Sequence, residues 1–431
     1  MRPWTVHRFR ALIRHSGPTS LIFRRRLALI GGAVIVGLVA LSFANLADRA
    51  TGVFERLIEV WPYAPVVLTP GGFALIVWIT RRYAPLAAGS GIPQVIAATK
   101  GTGGAFGRLV DMKTALLKCM LTSGALLVGG SVGREGPTVQ ISAALLAWTH
   151  RLLQVPMRVS VTVAGGAAGV AAAFNTPLAG ITFAIEELAS AYEQRMTLLV
   201  ITTVIVSGMV TLGLAGDYVY FGGGIDARLD IGAAIPVALI AGFFGGLSGG
   251  LFARLVLDAS RATNRFTRFR NQRPVLFAAL CGAIVAALGI ATGLTWGTGY
   301  GPARELILGE DLPIWLAPAK FVATLVTTVS GIPGGIFAPS LSTGASFGEI
   351  LRWIFPDQPA SAIVLMGMVA YFTGVVRAPL TAVIIITETT GTRGFMLPLL
   401  GAALIADASA HLLCKERLYH GLARAFMPDD K

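Results

Sequence analysis

Gly133-Arg134-Glu135-Gly136-Pro137-Thr138-Val139 decides the fold, because the chain carries a second version of it. Gly335-Ile336-Phe337-Ala338-Pro339-Ser340-Leu341 follows 202 residues later. The same shift carries Gly165 onto Gly367, Pro177-Leu178 onto Pro379-Leu380, and Glu186 onto Glu388. Landmarks this far apart that keep one register mark a duplicated unit. Sequence leaves open whether the two copies run parallel or inverted.

The duplicated unit is a membrane unit. The chain is 54% hydrophobic and only 13% charged, where soluble domains carry about 25% charged residues. Leu27 to Ala47 is 21 residues without a charge, long enough to cross a bilayer as a helix. Thr197–Gly216, Ile231–Phe252 and Val275–Gly301 are similar runs. Apolar runs recur to the C-terminus, which a signal peptide does not explain. Other runs are broken by glycine and proline, and broken helices survive at membrane depth only where protein or a water-filled cavity covers their backbone. A transporter or channel interior is the expected architecture, with the substrate site where duplicated halves meet.

The net charge of +13 is unevenly spread. Residues 1–26 hold seven arginines and no acid, so the N-terminus is expected on the cytoplasmic side. Such basic flanks are ordinary in membrane proteins, and no nucleic-acid partner is expected. A second cluster, Arg261, Arg265, Arg268, Arg270 and Arg273, divides the chain near its middle. The organisation read from this is a cytoplasmic basic arm over 1–26, a first membrane repeat over 27–253 and a basic linker over 254–274. A second repeat follows over 275–412, then a C-terminal helix and short tail over 413–431. If the halves are inverted, that linker faces away from the N-terminus, against its charge, so its side stays open. Cys119, Cys281 and Cys414 lie far apart with no metal-ligand spacing and read as small apolar side chains. No metal or cofactor is expected.

Three segments place glycine and proline just before a short apolar stretch: Gly89-Ser90-Gly91-Ile92-Pro93, Gly133 to Pro137, and Gly335 to Pro339. Proline suits a first helical turn and glycine frees the approach to it. Each reads as a helix N-terminus with unpaired N–H groups and the positive pole of the helix dipole. Buried, such an end is costly unless an anion or carboxylate fills it. Three converging ends would make an anion site without a full positive charge. Glu135 is the leading candidate there, since an ionisable residue in an apolar stretch is functional by default. Its carboxylate can take the anion's own place, and on protonation can leave it. The bland alternative for Glu135 is an ion pair with Arg134.

These motifs, in this order and with the late Leu418-Tyr419, resemble the signatures of the CLC family of chloride channels and proton-coupled chloride antiporters. The resemblance spans roughly residues 27 to 425. It implies an all-α polytopic membrane fold: two inverted-topology repeats of tilted, broken transmembrane helices, with one pore in each subunit of a homodimer. It implies that Ser90 and Tyr419 contact a central chloride, with Gly91 beside Ser90. The N–H groups of Ile336 and Phe337 would cradle the same ion, and the amides around Gly133, Arg134 and Glu135 would form an outer site. Glu135 matches the gating glutamate. Glu187 matches the inner proton-transfer glutamate of many antiporters, where channels usually lack an acid. Lys118 matches a buried family lysine, and Glu186 reads as structural, like its repeat mate Glu388. Ser90 resembles chloride-preferring members.

Plainer readings stand beside these: Ser90 as a helix cap, Tyr419 as an interfacial anchor, Glu186-Glu187 as a membrane boundary, Lys118 as a snorkelling cation. Only twelve residues follow Tyr419, so a prokaryotic type without the nucleotide-binding CBS module, in a bacterial inner (plasma) membrane, is expected. The sequence reading is a chloride/proton antiporter whose partners are chloride, protons and the lipid bilayer; the alternative is a passive chloride channel of the same fold. An enzyme is not expected. The hydrolase pattern GxSxG occurs at Ser131, Ser248 and Ser346 alike, which strips it of meaning in so glycine-rich a chain.

Overall fold

Backbone polar groups cannot be left bare in lipid, so an apolar chain of this length must close its hydrogen bonds within helices. The computed structural model does this, and it describes residues 18–100, 107–189, 194–216, 219–223, 225, 229–261 and 265–427. The first half comprises α1 (Pro18–Val60), α2 (Pro65–Tyr83), α3 (Ile92–Lys100), α4 (Met112–Leu127), α5 (Glu135–Leu152), α6 (Val159–Phe174), α7 (Pro177–Phe183) and α8 (Gln194–Ala215). The second comprises α9 (Ile231–Arg261), α10 (Arg265–Gln272), α11 (Pro274–Thr292), α12 (Tyr300–Ile307), α13 (Leu316–Ser330), α14 (Phe337–Arg352), α15 (Ala360–Val376), α16 (Pro379–Thr390) and α17 (Met396–Leu413). A last short helix, α18 (Leu418–Ala423), follows. Among the described residues, five helices, in α1, α8, α9, α11 and α17, are long and apolar enough to cross a membrane, and α6, α13, α15 and α16 are shorter apolar helices.

The 202-residue shift governs the whole element order. It lays α1 on α9, α4 on α13, α5 on α14, α6 on α15, α7 on α16 and α8 on α17. Only α11 and α12 stand six or seven residues later than the shift requires, because the short arginine-bearing α10 is inserted before them. This revises the expected organisation. Helix α9 runs unbroken through residue 254, and it packs on α15 and α17, so it opens the second half. We place the joint between the halves at 216–230, between α8 and α9, instead of at 254–274; a run of arginines looks like a linker in sequence but here caps and follows a long helix. Helix α1 likewise begins at Pro18, inside the expected basic arm, while residues 1–17 lie outside the described residues.

Equivalent residues touch each other where the halves meet. The Gly133 N–H donates to Gly335 O (2.7 Å) and the Gly335 N–H donates to Gly133 O (2.8 Å), an antiparallel pair of repeat mates. A two-fold axis must therefore pass between them. The acidic mates obey the same axis. The N–H groups of Leu178 and Ala179, opening α7, donate to Glu388 (3.3 and 2.9 Å). Those of Leu380 and Thr381, opening α16, donate to Glu186 (3.1 and 2.7 Å). Each half thus caps a helix of the other, as expected of a carboxylate at the positive end of a helix dipole.

Small residues let the helices close up. A Cβ added at Gly165 would stand 2.7 Å from Ala143 Cα, and one at its mate Gly367 would stand 2.6 Å from Gly348 Cα. Close backbone approach of this kind is what holds membrane helices together without a hydrophobic drive between them.

The charged ends sort to two faces. Arg24 donates to the carbonyls of Leu153 and Gln154 (3.0 and 2.8 Å). Arg25 and Arg26 share a cavity of about 600 Å³ with His150, Arg158 and Leu188. Arg81 and Arg270 line a second cavity with Ser90 and Tyr419. Arg261 pairs with Glu416, just before α18 (2.5 Å), and His420 on α18 reaches Glu187, next to Leu188. The two arginine clusters therefore lie on one face, and the conflict over the side of the 261–273 cluster disappears once α9 opens the second half.

Candidate functional site

The three glycine-rich turns are stitched into one centre. Gly89 pairs in parallel with Pro333, next to the Gly133–Gly335 pair, and the Gly334 N–H donates to Gly89 O (3.1 Å). From this knot α3, α5 and α14 run outward, so their N-termini face one another. Neither α5 nor α14 has a side-chain cap. Their first N–H groups are left to whatever occupies the space between them.

Ser90, Ile336 and Tyr419 line one cavity. Ser90 is 8% exposed, Tyr419 and Phe337 are fully buried, and Ile336 is buried. The Ser90 and Tyr419 hydroxyls make no hydrogen bond to protein, and both side chains line that cavity. Buried hydroxyls without partners are costly, and a pair of them aimed into one space marks a polar ligand's place. Gly136 is held close beside Ser90: a Cβ there would lie 2.5 Å from Ser90 Oγ and 2.9 Å from Ser90 O. Gly91, at φ +106°, abuts Gly136 O and Gln140. The Phe337 ring packs against Phe372, Phe183, Tyr419 and Phe174 at 4.9, 5.7, 5.9 and 6.3 Å, an aromatic collar that closes the centre to lipid. Neither a cap role for Ser90 nor an interfacial place for Tyr419 fits this burial.

Glu135 is fully buried, and its carboxylate accepts no hydrogen bond of normal geometry. It lies beside its own N–H and that of Ala338, the first turns of α5 and α14. Gly133 gives it room, since any Cβ at 133 would strike the carboxylate. The ion pair with Arg134 does not form. Arg134 turns away, donating to Asp48 Oδ1 (2.6 Å) and Ala44 O (2.9 Å) on α1. It lines a cavity of about 630 Å³ with Asp48, Glu55, Tyr220 and Tyr300, on the side away from the arginine-rich face.

Lys118 does not snorkel. It is fully buried and donates to the carbonyls of Ala87 (2.8 Å) and Gly89 (2.5 Å), which fixes the turn that presents Ser90. Its repeat mate Lys320 does the same for the 295–297 turn, donating to Thr295 O and Gly297 O (both 2.9 Å). The sequence reading passed over Lys320, though the 202-residue shift from Lys118 points straight to it.

Glu187 is fully buried on a π-helical turn, Ala184–Leu188, that ends α7. It is no boundary acid. Its Oε1 lies 3.2 Å from His420 Nδ1 and its Oε2 has no partner. Glu186, its neighbour, is occupied by the α16 cap, while Arg417 donates to the Glu186 carbonyl (2.9 Å). Asp48 and His420 gave no signal in sequence, since each acts on a residue far along the chain.

A duplicated helical protein whose uncapped helix ends and partnerless hydroxyls converge between the halves is an anion-handling membrane transport protein by architecture. The description of the voltage gated chloride channel family matches residues 72–411, and the chain belongs to that family. Among relatives, the H(+)/Cl(-) exchange transporter ClcA of Yersinia pseudotuberculosis serotype IB (strain PB1/+) is 32% identical over 90% of this chain and 85% of its own. The protein of the same name from Salmonella agona (strain SL483) is 30% identical over 98% of this chain and 92% of its own. Among solved structures, a slow cyanobacterial Cl-/H+ antiporter superposes with a TM-score of 0.81 at 23% identity, covering 95% of this chain and 99% of that one. A CLC-type fluoride/proton antiporter superposes with a TM-score of 0.76 at 20% identity, over 95% and 99%. The fold is thus the CLC fold of two inverted repeats.

Proposed function

We propose that this protein exchanges chloride for protons across a bacterial inner membrane, as a homodimer with one pathway in each subunit and no enzymatic role. One observation carries the reading: two carboxylates, Glu135 and Glu187, are fully buried in the same membrane core as the partnerless Ser90 and Tyr419 hydroxyls, and Glu187 is bonded to His420, the residue after Tyr419. Chloride is held by the Ser90 and Tyr419 hydroxyls and the N–H groups of Ile336 and Phe337, with Gly91 and Gly133 keeping the backbone close. The amides at Arg134 and Glu135 receive it further out. An ionised Glu135 carboxylate competes for those amides. Once protonated it has no charge for the helix dipoles to hold, and it yields its place to the anion. Because one carboxyl group cannot both fill the anion's place and carry a proton away from it, the two fluxes become linked. Glu187 passes protons between the arginine-rich face and Glu135.

That face is the cytoplasmic one by the charge rule for membrane proteins. The serines of the three hydrolase-like patterns bond within the helical scaffold: Ser346 to Ser342 O (3.0 Å), Ser248 to Phe244 O (2.9 Å), Ser131 to Thr324 Oγ1 (3.0 Å). This supports the transport reading over an enzymatic one. The test is reconstitution in liposomes under a chloride gradient while external pH is recorded. Uphill proton movement is expected, abolished in Glu135→Gln and in Glu187→Gln while chloride flux continues. Chloride flux without proton movement in the unaltered protein would make it a passive channel and leave Glu187 without a transport role.

A further inference from the structure

Glu187 cannot meet water by itself. It is fully buried, the turn that carries it packs on α3 and α6, and His420 of α18 reaches it from the remaining side. Among the described residues, the one titratable side chain bonded to it is His420, whose Nδ1 is 3.2 Å from Glu187 Oε1 and whose side chain is 28% exposed. One nitrogen of His420 is therefore taken up by Glu187, while part of the side chain remains open to solution.

We propose that His420 is the proton-loading residue for Glu187, an imidazole relay between the cytoplasmic solution and the buried carboxylate. The proposal rests on the antiport reading above. The step balances without any other reactant. With the Nδ1 proton shared toward Glu187, a solution proton binds the Nε2 lone pair and makes an imidazolium. The Nδ1 proton then passes to Glu187 Oε1, leaving a neutral imidazole protonated at Nε2 and a neutral carboxylic acid. The starting tautomer returns when the ring turns Nδ1 to solution, where Nδ1 takes up a proton as Nε2 releases one, and turns back; the reverse sequence unloads a proton. Imidazole suits the task because its charge ordinarily changes between about pH 5 and 8.

The surroundings leave the relay free to act. Glu186 is committed to the α16 N–H groups, and Arg417 to the Glu186 carbonyl. Glu416, the other acid near His420, is paired with Arg261 (2.5 Å) and Arg424 (3.1 Å). Tyr419, its neighbour in sequence, lines a cavity with Ser90. Among the described residues, the only carboxylate His420 touches is Glu187.

The experiment compares wild type, His420→Gln and His420→Ala in liposomes, with symmetric pH stepped from 5 to 8. General acid–base groups typically contribute 100-fold or more, so with water as a partial substitute a fall of at least about tenfold in coupled proton flux is expected above pH 7. The defect should shrink toward pH 5, where a higher proton concentration offsets the slower transfer through water in the space that His420 vacates. Added imidazole should restore proton flux in His420→Ala, which a merely structural histidine would not show. Chloride flux in Glu135→Gln should be unchanged by adding His420→Gln, which also shows that the variant folds. Wild-type proton flux in His420→Gln at every pH, or a defect independent of pH and of imidazole, overturns the proposal while leaving antiport intact. Absence of proton flux in wild type itself would remove the antiport reading, and this proposal with it.

Discussion

Removing either cross-cap should loosen the grip of one half on the other, by unequal amounts. In Glu388→Ala the N–H groups of Leu178 and Ala179 lose their acceptor. An N-cap truncation costs about 0.5–2 kcal/mol, and a carboxylate at a partly buried helix N-terminus adds up to about 2 kcal/mol through the dipole. Both carboxylates are half-buried, so about 2 kcal/mol is expected for Glu388→Ala. Glu186 also accepts from Thr381 Oγ1 (2.7 Å), one further hydrogen bond worth about 1 kcal/mol net. Glu186→Ala should therefore cost about 3 kcal/mol, and the two Gln variants, which keep one acceptor oxygen, roughly half as much. The assay is denaturant unfolding in detergent micelles, with Glu310→Ala, at an exposed site, as the control. The caps share no partner atoms, so the double variant should be near the sum of the singles. The reasoning fails if Glu388→Ala matches the control, or if it costs more than Glu186→Ala.

Gly136→Ala should cut chloride flux roughly tenfold while the protein still folds, since overpacking of this size costs about 1–3 kcal/mol and the added Cβ would press on Ser90 Oγ and O at 2.5 and 2.9 Å. Gly301→Ala, with nothing within 4 Å of its Cβ, should leave flux unchanged; equal fluxes in the two would separate Ser90 from the anion path. Outside the membrane, the Arg261 guanidinium holds the Glu416 carboxyl below its ordinary value. A lowered folded-state value means stability present above the ordinary carboxylate value near 4.3 and lost as pH falls below it. The pair is partly exposed, so the contribution is at most about 1 kcal/mol. Arg261→Gln should erase that acid-sensitive part of the unfolding free energy, measured from pH 7 to pH 3. The flux signatures of Glu135→Gln and Glu187→Gln, and the imidazole rescue of His420→Ala, complete the set.

Much of the site was legible because it is written in backbone. Ser90, Glu135, Ile336 and Phe337 sit at helix ends whose glycine and proline are local signals. The joint between the halves was misplaced for the converse reason. The arginines at 261–273 stand out in composition, but the element order shows them inserted between α9 and α11. Glu187 was ambiguous in sequence, since an acid at the end of an apolar run looks the same whether it meets solvent or is buried. Its side-chain partner, His420 on α18, lies 233 residues further along the chain.

By itself, then, the sequence determined the membrane environment, the duplication and the uncapped helix ends, each a matter of local composition or of a fixed register. Only the tertiary structure decided that Arg134 belongs to Asp48, that Glu186 and Glu388 cap each other's halves, and that His420 stands over Glu187. These pairs are distant along the chain and are brought together by a two-fold packing of halves. The contact of a side chain with a remote partner is set by where the backbones cross, and no local pattern records it.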